Sequence, residues 1–70
     1  MEFTENFKKS NNFRIEGQML YIIDENGKEL ELFVGFDVLT ARWSEEGRLI
    51  VVSTGGNVRS YENETEYISI

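Results

Sequence analysis

The residues that most often carry enzyme chemistry are missing from this chain. It contains no histidine and no cysteine, so the usual general bases and thiol nucleophiles are absent. The serines therefore have no histidine to activate them; they are Ser10, Ser44, Ser53, Ser60 and Ser69. Any metal site would have to consist of carboxylates. We therefore expect no catalytic residues, no cofactor and no metal site, and we predict that the protein is not an enzyme.

Carboxylates remain as the only candidates for acid–base work. Glu45 and Glu46 are adjacent, and Glu29 and Glu31 are separated by one residue. The first pair falls in a predicted turn and the second on the predicted water-facing side of a strand, so solubility explains them better than a hydrolase does. Residues 24–27, Asp-Glu-Asn-Gly, lack the ligand spacing of a calcium loop. A hairpin turn explains them fully.

The net charge of the chain limits the classes of partner that it is expected to bind. Thirteen acidic residues against seven basic ones give a net charge of −6, which repels the backbone of nucleic acids. The charge serves either solubility or contact with a basic partner, for which the protein would mimic nucleic acid. No apolar run reaches the ~18 residues of a membrane span, and the acidic N-terminus does not resemble a signal peptide. We expect a soluble, cytoplasmic protein, in keeping with its lack of cysteine.

The elements that must position any binding surface are predicted to be short β-strands. From Phe13 onward the chain has no proline, many β-branched and aromatic residues, and turn signals at short spacing. All connections are short, so neighbouring strands are expected to pair in order as an antiparallel meander. The predicted strands cover residues 13–16, 19–24, 29–34, 38–44, 49–52, 58–62 and 66–70.

Two of the predicted strands indicate which residues they bury. The alternation in 29–34 places its leucines and Val34 on one face and its glutamates on the other. The run Leu-Ile-Val-Val at 49–52 is typical of a strand covered on both faces, and we place it at the centre of the sheet. The Asn-Gly pair before residue 29 is a strong hairpin signal, because both residue types tolerate positive φ.

Trp43, the only tryptophan, has two interpretations. It is either an interface anchor, since tryptophan is enriched at binding hot spots, or a core residue that shares a face with Leu39 and Ala41. We favour the core. The arginines of the same region are predicted to lie on one side of adjacent strands and to form cross-strand charge pairs with glutamates, without any ligand; these arginines are Arg42, Arg48 and Arg59.

Residues 1–12 differ in composition from the rest. Phe3 and Phe7 are four residues apart, and Glu5 precedes Lys9 by four, which favours one helical face. The segment is short for a helix and ends in a turn-like Ser-Asn-Asn cluster. We predict a short helix or an ordered arm that places both phenylalanines on the sheet; the alternative is a frayed terminus.

The chain shows a weak internal similarity at a shift of 38 residues. Leu20 then falls on Val58, and Ile23 falls on Tyr61. The similarity indicates either a duplication or two meanders of similar strand length. A period near 40 with four strands per unit is the spacing of propeller blades.

One stretch carries a family resemblance. Residues 39–61, LTARWSEEGRLIVVSTGGNVRSY, resemble one blade of a WD40-type β-propeller. The shared pattern is an aromatic before a Ser-x-x-Gly turn, a small-apolar strand, a Gly-Asn turn and a Val-Arg-x-aromatic strand. The resemblance implies a blade-like meander, but residues 13–70 supply under two blades, whereas a closed propeller needs roughly four. Such a ring would require several chains.

We predict one all-β domain at residues 13–70, preceded by an arm or short helix at 1–12. Its antiparallel meander of six to seven strands would form a small barrel or sandwich, or a propeller-blade-like sheet. The expected function is that of a small acidic binding or inhibitor protein acting through protein–protein contacts, with no direct nucleic-acid or membrane contact. The alternative is a self-associating module, a homo-oligomer that completes a propeller-like or barrel assembly through its edge strands.

Overall fold

The computed structural model describes residues 3–63 and 67–69 of the chain. Among them are seven antiparallel strands: β1 (Asn12–Glu16), β2 (Met19–Ile23), β3 (Glu29–Phe33), β4 (Val38–Trp43), β5 (Leu49–Ser53), β6 (Val58–Tyr61) and β7 (Tyr67–Ser69). They form two sheets, a first sheet of order β1-β2-β3 and a second of order β4-β5-β6-β7. The two sheets share one core as a small β-sandwich, so the predicted all-β class is confirmed. The ends of the predicted strand 66–70 lie outside the described residues.

The predicted meander pairs in order with one exception, at the step from β3 to β4. Here the link between the two strands turns away and bonds to the β1–β2 turn instead. The amide of Val34 donates to the carbonyl of Gln18 at 2.9 Å, and the amide of Val38 donates to that of Gly17, also at 2.9 Å. These bonds end the first sheet and redirect the chain into the second.

The core lies between the inward faces of the two sheets. In the first sheet the register pairs Ile22 with Leu30 and Leu20 with Leu32 on the inner face, which confirms the predicted alternation in β3. In the second sheet β5 lies between β4 and β6 and is buried along nearly its whole length, as its continuous apolar run predicted. The residues that form the buried cluster are Phe3, Phe7, Leu20, Ile22, Leu32, Val34, Val38, Leu49, Val51 and Tyr61.

Three of the hairpin loops use one and the same turn. In each, a first residue with a short polar side chain accepts the amide three residues later through its carbonyl and the amide four residues later through its side chain. The fourth residue is a glycine with φ between +82° and +89°. This is a type I turn followed by a left-handed residue, and it gives the local strand twist that a hairpin needs. The three turns span residues 24–28, 44–48 and 53–57.

The Asn-Gly turn differs in detail from the prediction. Of its two central residues only Gly27 has positive φ, at +82°, whereas Asn26 does not. The reason is Asp24, whose Oδ1 accepts the amides of Asn26 at 2.9 Å and Lys28 at 2.8 Å and so stabilises the longer type I loop.

β4 contains a β-bulge that moves one predicted core residue to the surface. Its register with β5 shifts between Val38 and Thr40, so Leu39 is the extra residue. Leu39 is 59% exposed, whereas Ala41 and Trp43 pack against the core. The prediction that Leu39 shares their buried face is therefore wrong, because period-two alternation does not continue through a bulge.

The N-terminal segment is an arm, the second of the two predicted alternatives, and it is not a helix. The carbonyl of Thr4 accepts the amides of Phe7 and Lys8, each at 3.0 Å, and a second turn follows, in which the amide of Ser10 donates to the carbonyl of Phe7 at 3.1 Å. Lys9 has a φ of 62°, a left-handed conformation that stops a helix. Phe3 and Phe7 are nevertheless buried in the core cluster, as predicted.

Replacing Lys9 by glycine should stabilise the fold. Lys9 is exposed and has the only positive φ among the described non-glycine residues, so glycine removes the strain between its Cβ and the backbone. We expect the free energy of unfolding to rise by about 0.5–1 kcal/mol in urea denaturation. Lys9→Ala is the matched control, since it removes the same charge but keeps the Cβ. Equal stability of the two variants would contradict the prediction.

The strands repeat in position at nearly the predicted shift of 38 residues. β1, β2 and β3 begin at residues 12, 19 and 29, and β5, β6 and β7 begin at 49, 58 and 67, which are offsets of 37, 39 and 38. The first loops of the two halves differ, however. The β1–β2 loop is a two-residue turn with Gly17 at φ +61°, typical of type II′, whereas β5 and β6 are joined by the longer type I loop. Strand spacing therefore supports a duplication, and the loops do not.

Candidate protein-binding surface

The first sheet has one face turned away from the core. The outer face of the first sheet, as we use the term, consists of Arg14, Glu16, Met19, Tyr21, Ile23, Glu29, Glu31 and Phe33. The strand register places these residues side by side, because Tyr21 pairs with both Arg14 and Glu31, and Met19 pairs with both Glu16 and Phe33. Alternation along β2 and β3 sends their neighbours toward the core, whereas Ile15 of β1 is 39% exposed. No described element packs on this face.

An apolar strip runs across this outer face. Phe33 is 67% exposed, the most exposed of the large hydrophobic side chains in the described part of the chain. Its cross-strand partner Met19 is half-buried, and so are Tyr21 and Ile23 further along β2. Because most of the Phe33 ring is not buried in the core, its exposed apolar area is available for contact with a partner.

Glutamates surround the apolar strip. The guanidinium of Arg14 lies 3.9 Å from the centre of the Tyr21 ring and forms ion pairs with Glu16 and Glu29. Arg14 thus balances part of the negative charge and covers one aromatic ring. No described cation forms an ion pair with Glu31, which stands between Glu29 and Phe33 on β3. The uncompensated charge of the face therefore lies next to its most exposed aromatic.

A polar groove adjoins the same face. It has a volume of about 670 Å³ and lies between the N-terminal arm and the turn that follows β2. Lys8 and Lys9 line it together with Glu5 and Glu25, so both signs of charge are present. Asp24 also lines the groove, but its carboxylate is engaged by the amides of its own turn. The groove therefore selects no particular ligand charge.

The candidate chemical residues of the sequence stand apart from one another. Ser44 and Ser53 accept amides within their own turns, and Ser10 donates to the carbonyl of Ile23 at 2.5 Å. Glu45 and Glu46 are exposed in a loop. Within the described ranges, no group of three or more acidic, histidine or cysteine residues could hold a metal ion. Ser44 and Ser53 thus stabilise their turns, and Ser10 joins the arm to β2.

Arg42 and Arg59 do not lie on one side of the second sheet, contrary to the prediction that they and Arg48 would. Arg42 pairs with Ile50 on the outer face, while Arg59 pairs with Val51 on the inner face. Arg59 donates to the carbonyl of Val34 and lies 4.8 Å from the centre of a phenylalanine ring in the β3–β4 link. Arg48 forms a cross-strand charge pair of the predicted kind, with Glu62 at 3.1 Å.

Trp43 has the structural position that we favoured. Its ring meets that of Phe3 edge to face, with 5.1 Å between ring centres and an interplanar angle of 88°. Its Nε1 donates to the carbonyl of Ser10 at 2.7 Å. The indole therefore joins the arm to the second sheet.

The outer face of the first sheet was not identified from the sequence, although part of the signal is there. Phe33 has the same parity as Glu29 and Glu31, so the alternation that buries the leucines of β3 also turns Phe33 to water. Met19 and Tyr21 gave no such signal, because all of β2 except its central tyrosine is aliphatic or methionine and shows no alternation.

Comparisons with known proteins add no relative. No protein-family model, no curated protein and no solved structure matches this chain. The likeness of residues 39–61 to a propeller blade therefore stays a prediction. In the described part of the chain, no helix is long and apolar enough to cross a membrane.

Proposed function

We propose that this is a small, acidic, non-enzymatic protein of the cytoplasm that binds another protein, as an inhibitor or adaptor does. The observation that carries the proposal is the outer face of the first sheet, where Phe33 is 67% exposed beside glutamates that outnumber the cations of that face. A net charge of −6 favours a partner with a basic surface and disfavours nucleic acid.

The composition of the face supports binding over solubility alone. A surface that serves only solubility carries charges without large apolar side chains. Here Met19, Tyr21 and Phe33 form a continuous strip, since they are neighbours along β2 and across to β3. Aromatic and methionine side chains are enriched at the centres of protein interfaces, charged residues are depleted there, and the rim is polar.

The test is affinity capture of the partner protein with two variants of this chain, each of which lacks one exposed hydrophobic side chain. Phe33→Ser should lose most of the bound partner, whereas Leu39→Ser, at a comparably exposed leucine of the second sheet, should retain it. Capture should also weaken when salt rises from about 0.05 M to about 0.5 M, because screening reduces attraction between exposed charges. Equal capture by both variants, or capture insensitive to salt, would contradict the proposal.

Self-association is the second candidate function, and the open edge of β3 supports it. Among the described strands β3 pairs with β2 alone, so one side of its backbone has no strand partner. An exposed edge can pair with the edge of another copy. Sedimentation at high micromolar concentration separates the candidates, because a stable monomer excludes self-association and leaves binding of a different protein.

A further inference from the structure

The free edge of β3 has a defined pattern of hydrogen-bonding groups. The amide of Val34 donates to the carbonyl of Gln18 and the amide of Asp24 donates to that of Lys28, each at 2.9 Å. These pairs bracket the β2–β3 ladder, in which hydrogen-bonded and non-bonded pairs alternate. Leu30 and Leu32 therefore bond to β2. The N–H and C=O groups of the residues between and beside them point to the free edge; these residues are Glu29, Glu31 and Phe33.

The same three residues also turn their side chains to the outer face of the first sheet. In an antiparallel pair, directly opposite residues lie on the same face. A strand added to this edge would therefore place alternate side chains opposite Glu29, Glu31 and Phe33, and the remaining ones beside Leu30 and Leu32. One added strand would therefore bond to the free backbone groups of Glu29, Glu31 and Phe33 and contact their side chains at the same time.

We propose that the edge of β3 binds an extended basic segment of a partner protein by strand addition. The segment would carry an aromatic or aliphatic residue opposite Phe33 and lysine or arginine opposite Glu31 and Glu29, with apolar residues in between. The inference rests on the proposed function and names the partner's chemistry. Main-chain bonds supply affinity in such complexes, and alternate side chains supply specificity.

Charge decides between this occupant and a second copy of the chain. Two β3 strands paired antiparallel about their centre would place Glu31 opposite Glu31 and Glu29 opposite Phe33. Like charges directly opposite each other destabilise a sheet. A basic segment converts the same positions into opposite-charge pairs, one of which uses the uncompensated Glu31.

The probe is a labelled synthetic peptide with the central sequence Phe-Val-Lys-Val-Lys, and its binding is measured by fluorescence anisotropy. N-methylation of the first central lysine removes an amide that faces β3, so affinity should fall about tenfold or more. N-methylation of either valine alters an amide that faces away from β3 and should change affinity by less than about threefold. Equal effects of the two modifications would overturn strand addition.

Two variants of the protein complete the test. Glu31→Pro removes one edge N–H without touching the β2–β3 ladder, and Glu31→Gln removes the charge but keeps that N–H. Both variants lose the same charge, so in about 0.5 M salt, where charge contributes less, the proline variant should bind at least about tenfold more weakly than the glutamine variant. The fluorescence of Trp43, remote in the second sheet, reports whether each variant is folded.

The outcomes distinguish failure of this inference from failure of the proposed function. If both variants bind the peptide equally while capture of a partner still depends on Phe33, strand addition is overturned and the outer face remains the binding surface. The same holds if the peptide does not bind at all. If the protein is a dimer that Glu31→Pro dissociates, a second copy occupies the edge and the inference is overturned. If capture does not depend on Phe33 either, both proposals fail.

Discussion

Replacing Leu49 by alanine should lower the free energy of unfolding by about 3 kcal/mol, the largest loss that we expect from one aliphatic side chain. Leu49 is 0% exposed and lies in β5, between β4 and β6, where it pairs with Trp43 and Tyr61. The alanine leaves a cavity in the core. A domain of 70 residues has a small core, so other buried contacts do not offset the loss.

A loss of about 3 kcal/mol is a large share of the total free energy of unfolding. A domain of this length is stable by about 4–10 kcal/mol, so the variant should unfold about 12–24 °C lower. Thermal and urea denaturation followed by circular dichroism measure the change. Leu39→Ala is the matched control, since it removes the same atoms from a side chain that is 59% exposed and should cost about 0.5 kcal/mol or less. Similar losses in the two variants would contradict the packing of the second sheet.

Replacing Phe3 by alanine should destabilise the fold by about 3 kcal/mol and move the emission of Trp43 to longer wavelength. Phe3 is 4% exposed, and its ring packs edge to face on the indole. Its loss uncovers the tryptophan and removes an aromatic pair worth about 0.5–1.5 kcal/mol beyond the buried area. Since Trp43 is the only tryptophan, the emission change reports this one contact.

Phe33→Ala controls for the loss of a phenylalanine as such. Phe33 is 67% exposed, so its replacement should leave both stability and emission nearly unchanged. If Phe3→Ala fails to fold, Phe3→Leu keeps apolar volume in the core and should lose mainly the ring–ring contact. A frayed arm would make Phe3→Ala as mild as Phe33→Ala, and that result would contradict the position of the arm.

Most of the strand layout was predictable from the sequence, because alternation and glycine turns are local signals. β3 shows the clearest case, since its leucines face the core and its glutamates face water. The break after β3 was not predictable as a change of sheet. It depends on main-chain bonds from Val34 and Val38 to the Gly17-Gln18 turn, and main-chain carbonyls have no signature in the sequence.

The predicted positions of two side chains were wrong for related reasons. Leu39 was expected inside, but a bulge inserts one residue and reverses the faces on either side of it. Arg59 was expected on the same side of the sheet as Arg42, but it lies on the inner face, where its guanidinium donates to the carbonyl of Val34 and lies over a ring in the link. Both depend on contacts between segments distant in sequence, which alternation cannot encode.

The binding surface was predictable only by half. The parity of Glu29, Glu31 and Phe33 along β3 places them together on the outer face. Whether β3 is an edge strand or a central one depends on where the sheet ends, and so does the availability of its backbone groups. That boundary is set by the same distant bonds that separate the two sheets.

The bonds from the β3–β4 link to the first turn have a consequence for cooperativity. The segment that joins the sheets is held by the carbonyls of Gly17 and Gln18 and, further on, by the amide of Thr54 on the carbonyl of Asp37, at 3.0 Å. The link between β3 and β4 is thus hydrogen-bonded to a loop of each sheet. Neither sheet can open at this end without releasing the other, so slow amide exchange in the two sheets should follow a single shared opening.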